Sequence, residues 1–199
     1  MHKLAITGNI ACGKSLVGEI LEGKGVPVID SDHTVHDLLS HDHKLIESIC
    51  ALVGSDSVLS ENTAGIDRKK LGRLAFQDEA LRHKIESIIH PEVFKATQNF
   101  FSKHSNEPVC ANLIPLLFET GSEGRFDSIW LIYCDPMIQY ERLRKRNPEL
   151  SKEMTEQRLN AQMPQSEKLK RANLVIDNSG AIENTTQQVE QALQKICRK

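Results

Sequence analysis

The eight residues Gly8-Asn9-Ile10-Ala11-Cys12-Gly13-Lys14-Ser15 constrain this chain more than any other feature. They fit the pattern G-x-x-x-x-G-K-[S/T], in which glycines let backbone N–H groups curl around phosphate oxygens while the next helix aims its positive end at the same anion. The surroundings agree with that use. Lys3 to Thr7 reads as a short apolar strand before the loop, and Lys14 to Lys24 as a helix after it, with Leu16, Val17, Ile20 and Leu21 on one face. At ordinary residue frequencies a chance match in a chain of this length is about a 1% event. A glycine turn that only joined strand to helix would not need the adjacent Lys-Ser pair.

Gly25 and Pro27 punctuate the first helix, and Val26 to Ile29 reads as a second buried strand, so the chain opens as an α/β unit with a right-handed crossover. From 33 to 104 the apolar spacing is helical, with the 54–67 stretch, containing Asn62 and Gly65, read as a loop or small hairpin and Pro91 as the start of a further helix. Val109 to Ile114 and Ile129 to Cys134 are strand-like. Asp135 to Ser166 reads as helix in two pieces, broken near Asn147-Pro148; Leu174 to Ile176 reads as an edge strand and Ala181 to Ile196 as a terminal helix. These elements make an α/β phosphate-loop (P-loop NTPase) fold with a central, mostly parallel five-stranded sheet. Its core is 1–32 with 105–199, an inserted helical domain takes 33–104, and a helical lid lies at 139–165.

Composition removes several classes. The 25 Lys and Arg nearly balance 27 Asp and Glu, for a formal net charge of -2, which argues against broad nucleic-acid coating but leaves room for a local phosphate pocket. The 5 cysteines, without a CxxC pair, predict reduced thiols and a cytoplasmic location. No apolar run reaches the ~18 residues of a membrane span, and the start lacks the apolar core of a signal peptide. The expectation is a soluble monomer or weak homo-oligomer. Cys12 reads as a small loop-compatible side chain, since no resolving cysteine accompanies it.

Lys14 is expected to reach the β- and γ-phosphates of ATP, and Ser15 to place its hydroxyl on Mg²⁺. Val28-Ile29-Asp30-Ser31-Asp32 sets two carboxylates after the second strand, at the carboxyl edge where open α/β sheets bind ligands. In extended chain Asp30 and Asp32 would point to one side. One can take or orient the proton of an attacking hydroxyl, and the other can support a hydrated Mg²⁺ or hold the acceptor; helix capping by Ser31 or Asp32 is the plainer reading. No Asn-Lys-x-Asp segment of a GTPase occurs, and the short chain, inserted helices and later basic segment suit a small-molecule kinase, whose acceptor could equally be a nucleoside or nucleotide; the alternative is a nucleotide-dependent interaction protein.

With these residues in order, the chain resembles the dephospho-coenzyme A kinase family over almost its whole length. The resemblance rests on the loop, on Ile29 to Asp32, on Asp67-Arg68 with Leu71 and Phe76, and on His90-Pro91 and Pro115-Leu116-Leu117-Phe118-Glu119. It continues through Gln139 with Arg142 and Arg146, Arg158 with Gln162, and Ile176-Asp177-Asn178. It implies transfer of the ATP γ-phosphoryl group to the ribose 3′-hydroxyl of dephospho-coenzyme A. Asp32 is then the general base, with Lys14 and Arg142 also catalytic, and the loop from Gly8 to Leu16 binds ATP. Asp30, Asp32, Arg68 and His90 contact the acceptor, Asp30 also reaching the metal through water. Arg142, Arg146 and Arg158 belong to the lid, and Asn178 lies beside adenine. On charge and spacing alone, His90 is a packed histidine, the arginines form a solvated helix face and Asp177-Asn178 is a polar turn.

Two positions depart from the family pattern. Leu113 stands where an acidic residue is usual, two before the proline, which shifts a metal-supporting role toward Asp30 or Glu119 and leaves Leu113 either core filler or a site that tolerates Asp; tolerance is narrowly favoured. Leu16 replaces the hydroxyl residue that usually follows Ser15.

Overall fold

A computed structural model describes residues 1–60 and 65–197. The chain divides into two compact units, Met1–Asp30 with Lys103–Lys199, and Ser31–Ser102. The first is built on strands β1 (His2–Thr7), β2 (Val28–Asp30), β3 (Val109–Leu113), β4 (Ser128–Tyr133) and β5 (Leu174–Asp177), in the order β2-β3-β1-β4-β5. Every pairing is parallel. The central strands read as unbroken apolar runs because helices cover both faces: all of β3 is buried, as are Ile129 to Ile132 of β4.

Helix α1 (Lys14–Gly23) follows β1 through the glycine-rich loop and buries Val17, Gly18 and Leu21. The second strand starts later than its apolar run suggests and is half-buried, because β2 is an edge strand bonded only to β3. The second unit contains α2 (Ser31–His41), α3 (His43–Val53), α4 (Ser55–Val58), α5 (Arg68–Gln77) and α6 (Glu79–Lys103). Its core joins Leu39, Leu45, Ile49, Val58, Leu71 and Ile85. Among its described residues the 54–67 stretch supplies α4 and an antiparallel bridge, Leu59 to Ile66; Asn62 lies outside the described residues. Asp67 caps α5 by accepting the N–H groups of Lys69 and Lys70.

Pro91 does not begin a helix but lies inside α6. It removes the N–H that would bond the Ser87 carbonyl, yet Ser87, His90 and Pro91 are all exposed, so water can take that carbonyl. Ile85 and Ile89 before it, with Thr97 and Phe101 after it, bury the other face and hold the helix through the break. Beyond β4 the first unit adds α7 (Pro136–Arg146), α8 (Lys152–Asn160), the separate α9 (Gln165–Arg171) and the terminal α10 (Ile182–Cys197). Among the described residues no helix is long and apolar enough to cross a membrane.

Candidate active site

The loop between β1 and α1 is shaped by close approach and by side chains from distant elements. Gly8 (φ 153°) passes so near β4 that a Cβ there would stand 2.5 Å from the Ile132 carbonyl oxygen. Gly13, the N-cap of α1, has φ 97° and abuts the Asn178 amide. Ala11, at φ 63°, is the non-glycine residue with positive φ among the described residues, a conformation that costs an alanine about 1 kcal/mol or more. Lys14 Nζ donates to the carbonyls of Gly8 (2.7 Å) and Asn9 (3.3 Å), across the mouth of the loop. The N–H groups of Ala11 and Gly13 meet no acceptor among the described residues. Loop amides and a helix start together form an anion cradle. Ser15 is exposed in the first turn of α1, and Leu16 beside it is half-buried.

Several polar side chains hold the loop. Asn178 is buried, donating Nδ2 to the Cys12 carbonyl (2.8 Å) and accepting the Thr185 hydroxyl on Oδ1 (2.9 Å). Both ends of its amide are therefore engaged in supporting the loop. The Ile10 N–H donates to Gln162 Oε1 (2.7 Å), and the Ile10 carbonyl accepts Gln139 Nε2 (2.8 Å). Asn9 Nδ2 donates to the Met163 carbonyl (3.0 Å). The Cys12 thiol is buried against Gln165 Oε1 (3.4 Å); burial above all, with the neighbouring Cys134, pushes its pKa up to about 11, so it is no nucleophile. Arg142 is half-buried and donates to Cys134 Sγ (3.4 Å) at the end of β4, which brings it to the loop side of the sheet. Arg146 and Arg158 are exposed on α7 and α8 and make no bond to the loop among the described residues.

Asp30 ends β2 opposite Leu113, which is opposite Ile6 of β1. It thus stands on the rim from which the loop rises, two strand spacings or about 10 Å from β1. The alternation that would turn Asp32 to the side of Asp30 does not occur, because the backbone becomes helical at Ser31. Asp32 remains tied to the rim by covalent geometry, its Cα within about 7.6 Å of that of Asp30. In the helical unit, Arg68 is exposed at the start of α5 and His90 is exposed on α6, not packed.

Leu113 is 5% exposed and lies in the apolar core, its Cδ1 2.8 Å from where a Cβ on Gly18 would stand. The core-filler reading holds, and tolerance of Asp is not what this packing favours. Glu119 accepts the Lys168 ammonium (2.9 Å) and the Met163 N–H (3.0 Å) on Oε1. Burial works against its charge, but those bonds outweigh it and hold the carboxyl below the usual range. Through Oε1 it anchors Met163 and Lys168. Lys168 is fully buried, also reaching the Pro115 carbonyl (3.4 Å); its charged neighbours in sequence hide this, and neither it nor Gln165 carries a sequence signal of its role.

Among the described residues no cluster of three His, Cys, Asp or Glu side chains could hold a metal by itself. Mg²⁺ carried on phosphate oxygens needs only one or two protein oxygens, and the Ser15 hydroxyl with the Asp30 carboxylate fits that requirement.

A parallel sheet, a phosphate cradle with its lysine at the first strand–helix turn, and a carboxylate on the same rim define a phosphate-loop kinase. A family model described as CoaE, dephospho-CoA kinase, matches residues 2–184. A dephospho-CoA kinase of Parasynechococcus marenigrum is 39% identical over 181 residues, spanning 91% of this chain and 89% of its own. Solved structures agree: the dephospho-CoA kinase of Campylobacter jejuni has a TM-score of 0.73 at 27% identity, covering 98% of this chain and 97% of that one. A Thermus thermophilus protein reaches 0.85 at 32% identity, covering 98% and 96%. The chain belongs to the dephospho-CoA kinase family. Its reaction is the ATP-dependent phosphorylation of dephospho-CoA, giving CoA and ADP.

Proposed function

We propose that the loop from Gly8 to Leu16 holds the triphosphate of ATP while Asp32 takes the proton of the acceptor's ribose 3′-hydroxyl. The acceptor oxygen bonds to the γ-phosphorus, the bond from phosphorus to the β,γ-bridging oxygen breaks, and ADP leaves. Lys14 sets its ammonium at the mouth of the loop, where negative charge gathers in the transition state. Ser15 would hold Mg²⁺ directly and Asp30 through water, and the ion would supply neutralisation of the phosphate charge. Arg142 faces the phosphates from α7, and Arg146 and Arg158 join it in a lid over 139–165. The helical unit takes the acceptor, with Arg68 and His90 offering exposed polar groups.

The observation that carries this reading is the common rim: amides at the start of α1, Lys14, and Asp30 at the end of β2, with Asp32 covalently tethered beside it. The cytoplasm is the proposed location, supported by the free thiols of all 5 cysteines. Its near-neutral charge suits small-molecule substrates better than nucleic acid, and we propose that it acts as a monomer or weak homo-oligomer.

Asp32→Asn tests the base. The change keeps size and capping ability, so turnover should fall about 100-fold or more with little change in ATP affinity or melting temperature. Partial recovery at raised Mg²⁺ would instead make Asp32 a metal-side residue. A stable variant keeping more than about half of parental turnover would exclude the base role.

A further inference from the structure

Gln139 and Gln162 belong to the segments that carry the family resemblance, and both bond to the phosphate loop. Both hold Ile10, one residue before the strained Ala11. A trans peptide is planar, with its C=O and N–H pointing in opposite directions. Fastening the Ile10 carbonyl to Gln139 Nε2 at 2.8 Å therefore dictates the opposite heading for the Ala11 N–H. Asn178 does the same one turn on, holding the Cys12 carbonyl at 2.8 Å and so turning the Gly13 N–H. These are the amides that meet no acceptor among the described residues.

The direction of the Gln139 amide is itself set from outside. The Cys134 N–H donates to Gln165 Oε1 (3.2 Å), so Gln165 must turn Nε2 the other way, to the Cys134 carbonyl (2.9 Å) and Gln139 Oε1 (3.1 Å). With Oε1 taken, Gln139 presents Nε2 to Ile10. A relay of amide orientations thus runs from the end of β4, through the start of α9 and one face of α7, to the phosphate loop. Gln139 is 6% exposed, so water does not compete for these bonds. Gln162 completes the grip by accepting the Ile10 N–H at 2.7 Å.

We propose that Gln165 and Gln139 are positioning residues of the phosphoryl transfer, aiming the Ala11 N–H at the phosphate through the Ile10 peptide. The inference rests on the phosphate-loop reading of Gly8 to Ser15, which parental turnover and the loss expected in Lys14→Ala test separately.

The variants are Gln139→Met, which keeps length and adds no charge, and Gln165→Glu, which removes the donor and forces the Gln139 amide to reverse. Each should lower kcat about 10- to 100-fold, the scale of outer-sphere orienting groups, while the KM for dephospho-CoA stays within about twofold. Because both break one relay, the double variant should be no slower than about twofold below the slower single variant. A purely structural role would lower melting temperature and leave kcat of the folded fraction unchanged. Folded single variants with parental kcat, effects that multiply in the double variant, or a rise in acceptor KM alone would each overturn the proposal. Failure of both single variants to fold would overturn it equally, by making the relay a requirement of the fold.

Discussion

Replacing Gly13 by alanine perturbs the loop at its tightest point. The new Cβ would stand 2.0 Å from Asn178 Nδ2 and 3.2 Å from its Cγ, at a backbone φ of 97°. Asn178 is 2% exposed, so its amide has no open space to enter. To yield, it must release the Cys12 carbonyl and the Thr185 hydroxyl, bonds of 2.8 and 2.9 Å. A buried polar group left without a partner costs about 1–3 kcal/mol, and an L-residue in this region about 1–2 kcal/mol more. The reduced freedom of the unfolded chain returns only about 0.4–1 kcal/mol. A net loss of about 3 kcal/mol is expected, against a usual stability of roughly 5–15 kcal/mol. For a chain of this size it lowers the melting temperature by about 6–12 °C. Thermal unfolding followed by circular dichroism measures this, with Gly23→Ala as the control. Gly23 ends the same helix and a Cβ there meets nothing within 4 Å, so that change should be neutral or slightly stabilising. A Gly13→Ala protein melting within about 2 °C of the parent would refute the reasoning.

Other outcomes follow from the same contacts. Lys168→Met strands the Glu119 carboxylate and should destabilise by about 3–5 kcal/mol in chemical denaturation. The Glu119 carboxyl is held below its ordinary value, so its stabilisation is complete above about pH 4.3 and is lost as pH falls through the folded-state value; acid unfolding of Glu119→Gln should show a shallower loss than the parent. Leu113→Asp places a carboxyl in the apolar core and should cost several kcal/mol, with part of the loss recovered as pH is lowered and the side chain takes up a proton; a parental melting temperature at neutral pH would show the site to be open. Ala11→Gly relieves positive φ but adds freedom to the unfolded chain, so its melting temperature should stay close to the parental one. Ala11→Val, branched at Cβ, should melt several degrees lower.

Much of this molecule was legible in the residues because its signals are local. A phosphate loop needs its glycines, lysine and hydroxyl within eight positions, and β3 and β4 announce themselves as short apolar runs. Pro91 misled because a proline's tolerance inside α6 depends on which face is wet and how much apolar surface its two sides share, neither of which is a property of the dipeptide. Asp32 misled in the same way: strand alternation stops at Ser31, where helix begins without a connecting loop. The loop's support is long-range by nature. Gln139, Gln162, Gln165 and Asn178 reach it from more than a hundred residues away, and an amide that orients a peptide looks, in sequence, like any polar residue on a helix.

The most direct test of the central claim follows both products of the purified chain supplied with Mg-ATP and dephospho-coenzyme A. Chromatography resolves coenzyme A and ADP, and phosphorus NMR locates the new phosphate. Equal amounts of the two products are expected, with the phosphate on the ribose 3′-oxygen and loss of both products by orders of magnitude in a folded Lys14→Ala protein. ADP formed without coenzyme A, or nucleotide bound with neither product, would contradict that claim.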